Sequence, residues 1–278
     1  MLSFITRKFR PMFAFAAIVA LAAGLFTPAA IRAQAKSPAP AAAPAPSGQT
    51  EAPRVNPQEE ADYAAFFKAE GAEKKFPLGR DFLEKYPDSR YTEPVYNQLV
   101  NAYYSERDWN DFYAVADKAL AKDSNDVDVL VLVGWVIPHF YQPGARDAAQ
   151  KLEQAQNYEK RAITLLLALD KPAWLTDSEF ASAKAEKLSR AHSGLGLAEY
   201  WSKDYADSVK ELQQAQAIQG APAPDQTDFY IFGMGLEKLK RYPEAADAYQ
   251  KCGQIPGALA NSCKQGADRA KGEAAQSK

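Results

Sequence analysis

The side chains best suited to chemistry in this sequence are few: His139, His192, Cys252 and Cys263 are its only histidines and cysteines. The histidines stand at metal-ligand spacing neither from each other nor from a cysteine, so no metal site is expected. No Gly-rich phosphate loop, nucleophile elbow or His-Glu-x-x-His pair occurs. Asp and Glu residues alternate with Lys and Arg, as on solvated helix faces. The chain therefore reads as a non-enzyme, with no catalytic, cofactor-binding or metal residue assigned. Cys252 and Cys263 lie 11 apart across Pro256 and Gly257. In an oxidising compartment they are expected to form a disulfide. Two buried thiols remain the alternative, because Cys252 also falls at a small packing position.

The N-terminus bears on that compartment. Arg7, Lys8 and Arg10 precede an apolar run from Met12 to Phe26, and Ala33-Gln34-Ala35 has small residues where a signal peptidase reads. Residues 1–35 are expected to be a secretory signal cut after Ala35, or after Ala33. The run meets Pro28 short of the ~20 residues that a membrane-spanning helix needs. No cysteine lies near the cleavage site, so no lipid anchor is expected. The leader carries Arg7, Lys8, Arg10 and Arg32 and no acidic residue, so the mature chain is more acidic than the formal net charge of −2. That balance disfavours nucleic acid as a partner. Residues 36–57, rich in Pro, Ala, Ser and Gln, hold too little apolar surface to offset the entropy of ordering and are expected to be a disordered linker.

From residue 58 the apolar residues recur at helical spacing, and the pattern repeats. Leu195-Gly196, Tyr205, Leu212 and Ala215 are matched by Phe232-Gly233, Tyr242, Tyr249 and Cys252, with nine residues from glycine to tyrosine and ten more to the small residue in both. Tyr96, Leu99, Trp109 and Ala119 form a third copy, with Val100 in place of the glycine. In a fourth, Gly134 and Ala162 are separated by an insertion of about nine residues near Pro138–Gly144. Thr176 and Glu179 form a capping box that opens a helix running to about Ser202. The expected units are 58–90, 93–126, 127–169, 189–222 and 226–259. A short helix over 262–271 closes a repeat domain of 58–271, and a disordered tail covers 272–278. A helix pair of about 34 residues cannot bury its apolar face alone, so neighbours must stack. The expected fold is all-α, an α-α superhelix of four to five pairs. Gly196 and Gly233 should lie at close helix crossings, and His192 should be a satisfied core histidine.

These residues resemble the tetratricopeptide repeat family, over roughly 58–271. Phe82–Ser89 in the first pair also resembles repeats of bacterial envelope proteins. In the family the first helix of each pair lines a concave, peptide-binding face. Carried over, the resemblance implies a groove of Asn97, Asn101, Tyr104, Val131, Trp135, His139, Ser193, Leu197, Tyr200, Trp201, Tyr230, Met234 and Glu237. A packing role for Trp135 and Tyr200 stays open beside it. Asn101 matches one asparagine of the family's carboxylate clamp, but the clamp's lysines and arginine are absent, so no clamp is expected. The implied function is a periplasmic or secreted scaffold binding a protein or peptide, without cofactor, nucleic acid or stable membrane insertion. The alternative is a structural subunit of an envelope assembly.

Overall fold

The computed structural model describes residues 56–277. The expected leader and all but the end of the linker lie outside the described residues. Within them are eleven helices and no strand. They pair in chain order: α1 (Pro57–Lys68) with α2 (Ala72–Lys85), α3 (Thr92–Glu106) with α4 (Trp109–Lys122), and α5 (Val127–His139) with α6 (Ala148–Ala168). Next come α7 (Asp177–Trp201) with α8 (Tyr205–Ala217) and α9 (Gln226–Lys238) with α10 (Tyr242–Gln254), closed by α11 (Ala260–Gln276). Each helix packs on its partner, and each pair packs on the next. The result is the all-α, tetratricopeptide-like array of five pairs that the repeat register predicts.

Local chemistry sets the helix starts. Asn56, Asp108, Asp126, Thr176 and Asp225 each cap a helix with a side-chain oxygen, and the Thr176–Glu179 capping box is present. Three pairs also turn in the same way. Arg107, Lys203 and Lys240 adopt left-handed backbone (φ 58°, 72° and 58°) two residues before the aromatic that opens the second helix. The next N–H reaches back into the first helix, Asp108 to Tyr103, Asp204 to Glu199 and Arg241 to Leu236, as in a Schellman motif. A side chain in this conformation costs roughly 1–2 kcal/mol. Its recurrence at one repeat position shows a turn set by the repeat as a whole.

The glycines do what their register requires. A Cβ on Gly196 would stand 3.1 Å from both the Leu212 nitrogen and the Ser208 carbonyl oxygen, so α7 and α8 touch nearly backbone to backbone. A Cβ on Gly233 would lie 2.8 Å from the Tyr249 ring. Gly266 makes the same approach from α11, so the wholly buried ring fits a slot that only two glycines leave open. The Tyr249 hydroxyl donates to Glu237 at 2.8 Å, and Arg269 forks onto the same carboxylate. Cys252 of α10 and Cys263 of α11 are both fully buried and joined by a disulfide. Closing so short a loop contributes about 2–3 kcal/mol. Two boundaries differ from expectation. α11 extends to Gln276, past the expected end at 271, and α6 starts at Ala148, after a loop containing Gly144 at φ 99°, whereas the spacing places a helix start at about Ala145.

The insertion in the third pair is an eight-residue loop, 140–147, and a second helix of 21 residues. The loop is fastened to the end of α7. Trp201 donates its indole N–H to the Pro138 carbonyl at 3.1 Å, and the Tyr141 and Trp201 rings lie 5.2 Å apart. Glu159 of α6 lies between α5 and α7, three residues before Ala162, where Leu212 stands before Ala215 and Tyr249 before Cys252. Gly134 and Gly194 leave the space its wholly buried carboxyl fills.

Candidate functional site

The first helices α3, α5, α7 and α9 bring part of the expected groove together. Tyr104 of α3 meets Trp135 of α5 edge-on, with centroids 6.2 Å apart, and the Arg190 guanidinium of α7 lies 5.8 Å over the Trp135 ring. Both rings are half-buried. Arg190 is 39% exposed and pairs with Glu186 at 3.5 Å. Beside them a pocket of about 150 Å³ is lined by Trp135, Arg190, Ser193 and the segment Pro222–Asp225.

Several expected groove residues are placed elsewhere. Leu197 is wholly buried and Tyr200 is 6% exposed. Both pack in one cluster with Leu212 and Ile231, because α9 crosses the face of α7 to which the register assigns them. Val131 and Ser193 are buried as well. Leu197, Tyr200 and Val131 thus present almost no surface to a partner, and Ser193 only borders the pocket. Asn101 is exposed, but its amide donates to the Asn97 carbonyl of its own helix at 2.7 Å, and the Asn97 side-chain oxygen is buried without a hydrogen bond. Trp201 secures the inserted loop. Tyr230, Met234 and Glu237 stay half-buried against the last pair, where Tyr230 sits 5.8 Å from Tyr249. His192 pairs with Glu211 at 2.6 Å.

His139 departs furthest from its expected role. Its side chain is 5% exposed. Nδ1 lies 2.8 Å from the Trp135 carbonyl oxygen, which can only accept, so Nδ1 carries the proton and the lone pair of the neutral ring is on Nε2. Nε2 makes no hydrogen bond. It faces Oδ2 of Asp225 at 3.4 Å and Oδ1 of Asp228 at 3.9 Å. These aspartates open α9 as a reciprocal capping box. Asp225 Oδ1 accepts from the Asp228 N–H at 2.9 Å, and Asp228 Oδ2 accepts from the Asp225 N–H at 3.2 Å. Each carboxylate thus commits one oxygen to the cap and turns the other toward His139. Ser193 of α7 donates to Asp228 Oδ1 at 2.5 Å. Burial and the neighbouring Asp225 charge push the Asp228 carboxyl up to about 6. Burial also acts on Asp225, yet His139, when its ring is protonated, and the helix N–H groups hold it below the usual carboxylate range.

Sequence reasoning missed Arg190, Asp225, Asp228 and Glu159. The D-x-x-D spacing before an apolar run marks a capping box, but not its meeting with the end of α5.

No family model matches the sequence, and no curated protein does. Among solved structures the chain is similar to a MamA protein, with 19% identity and a TM-score of 0.42 over 66% of this chain and 89% of that one. It is also similar to a thermophilic TPR protein of Thermus thermophilus, at 13% identity and a TM-score of 0.43 over 78% and 95% of the two chains. A tetratricopeptide repeat protein of Parabacteroides merdae shows 10% identity and a TM-score of 0.31, over 76% and 96%.

Proposed function

We propose that this chain is a non-enzymatic scaffold of the bacterial cell envelope that binds a protein or peptide on the concave face of its helix pairs. The cluster of Tyr104, Trp135 and Arg190 beside the Pro222–Asp225 pocket carries this reading. Tyrosine, tryptophan and arginine dominate binding energy at protein interfaces, since they offer large contact area and a planar fork of donors. Three successive first helices present them together, as an extended peptide crossing the array would require. Export is supported by the leader-like N-terminus and by the buried disulfide, a bond that persists in oxidising compartments. No described helix is long and apolar enough to cross a membrane.

The test is capture of a partner from envelope extract by the full-length chain. Trp135→Ala and Arg190→Ala should each weaken capture at least tenfold, about 1.4 kcal/mol. Lys210→Ala, an exposed position on α8, should leave capture unchanged. Equal capture by all three variants would remove the concave face from the function.

A further inference from the structure

We infer that His139, Asp225 and Asp228 form a binding site for a divalent transition-metal ion of the zinc type, joining the end of α5 to the start of α9. The three donor atoms lie within 4.8 Å of one another. Ligands about 2.0–2.2 Å from a tetrahedral zinc stand roughly 3.3–3.6 Å apart. The 3.4 Å from Nε2 to Asp225 already has that spacing, and the 3.9 Å to Asp228 needs a small closure.

The surroundings are organised as metal sites are. A ligating histidine donates its second ring N–H to a carbonyl or carboxylate, which fixes the tautomer and aims the free lone pair. Here the Trp135 carbonyl does so at 2.8 Å. Ligating carboxylates are themselves held by hydrogen bonds. The capping box and Ser193 supply these bonds and leave Asp225 Oδ2 and Asp228 Oδ1 turned toward Nε2.

The arrangement of these side chains also has a deficit that a cation would remove. Nε2 is buried and makes no hydrogen bond, so the neutral ring turns a bare lone pair toward two carboxylates. The buried Asp228 and the part-exposed Asp225 both face this corner, and the nearby Arg190 is already engaged by Glu186. One imidazole with two carboxylates suits zinc, cobalt or manganese, whereas magnesium and calcium prefer oxygen ligands alone. The pocket bordering Asp225 and Asp228 gives an entry route and room for a further ligand. This site neither requires nor follows from binding of a protein partner.

The experiment is titration of chelator-treated full-length protein with Co²⁺ and Zn²⁺, read by cobalt visible absorption and by calorimetry. One saturable equivalent is expected, with Zn²⁺ displacing Co²⁺. Asp225→Asn keeps an efficient helix cap but loses the charge, and it should bind at least tenfold more weakly, as should His139→Gln. His192→Gln should bind as the wild type does. Absence of saturable binding, or an Asp225→Asn affinity equal to wild type, would overturn the site. Should His139→Gln fail to fold, the cap-preserving Asp225→Asn decides alone.

Discussion

Replacing Gly194 by alanine should destabilise the chain by about 3 kcal/mol, the upper part of the range for overpacking a tight core. The new Cβ would stand 2.3 Å from Glu159 Oε1 and 2.9 Å from the Trp135 Cα. Glu159 has nowhere to retreat, because its Cδ is 2.6 Å from where a Cβ on Gly134 would be. The second contact is to backbone, so α5 and α7 would have to separate. Gly272→Ala is the control. Nothing lies within 4 Å of that position inside α11, and replacing an open helical glycine should stabilise by about 0.5–1 kcal/mol. Urea unfolding of the two variants measures the difference. Equal midpoints would mean that α5 and α7 are not in the contact described.

Stability should fall as pH rises from about 4.5 to 8, and Glu159→Gln should flatten that fall by up to about 1.4 kcal/mol per pH unit, the slope of one linked proton. Burial raises the carboxyls of Asp126 and Asp228 to about 6 and of Glu199 to about 8. It raises Glu159 well above the usual range, with Arg190 opposing only in part. Neither Glu159 oxygen has a hydrogen-bond partner, which suits a protonated acid more than a carboxylate. A raised group binds its proton more tightly in the folded state. Its stabilisation is therefore complete below the unfolded value and lost as pH climbs through the folded one. Exposed pairs act in the opposite sense. Asp88 beside Lys122 and Asp147 beside Lys151 are held below their usual range, so their small contribution disappears only in stronger acid. Maximum stability is thus expected in mild acid. Unfolding free energies measured by urea at several pH values would contradict this if wild type and Glu159→Gln changed in parallel.

How far the sequence reaches can be judged residue by residue. Leu195-Gly196 and Phe232-Gly233 disclose the repeat because close packing admits only small residues at a fixed interval, and that constraint is local in sequence. The Thr176–Glu179 box is legible for the same reason. Register assigns Leu197 and Tyr200 to the groove because it gives the face of a helix. It does not give the crossing of α9 that covers that face. Glu159 reads as one more charge on a solvated face, although the register puts it three residues before Ala162, where Leu212 and Tyr249 pack on the first-helix glycine. His139 and the Asp225–Asp228 cap lie far apart in the chain, and only the stacking of the pairs brings them together. The repeat spacing that reveals the fold is silent about contacts it does not itself require.

The most direct test of binding through the concave face is site-specific photo-crosslinking in the native envelope. A photoreactive residue at Asn101 or Tyr104 on α3 should trap a discrete partner protein. The same residue at the exposed Asp117 on α4 or Lys210 on α8 should not. Crosslinks that form from Asp117 and Lys210 while Asn101 and Tyr104 stay silent would contradict the account.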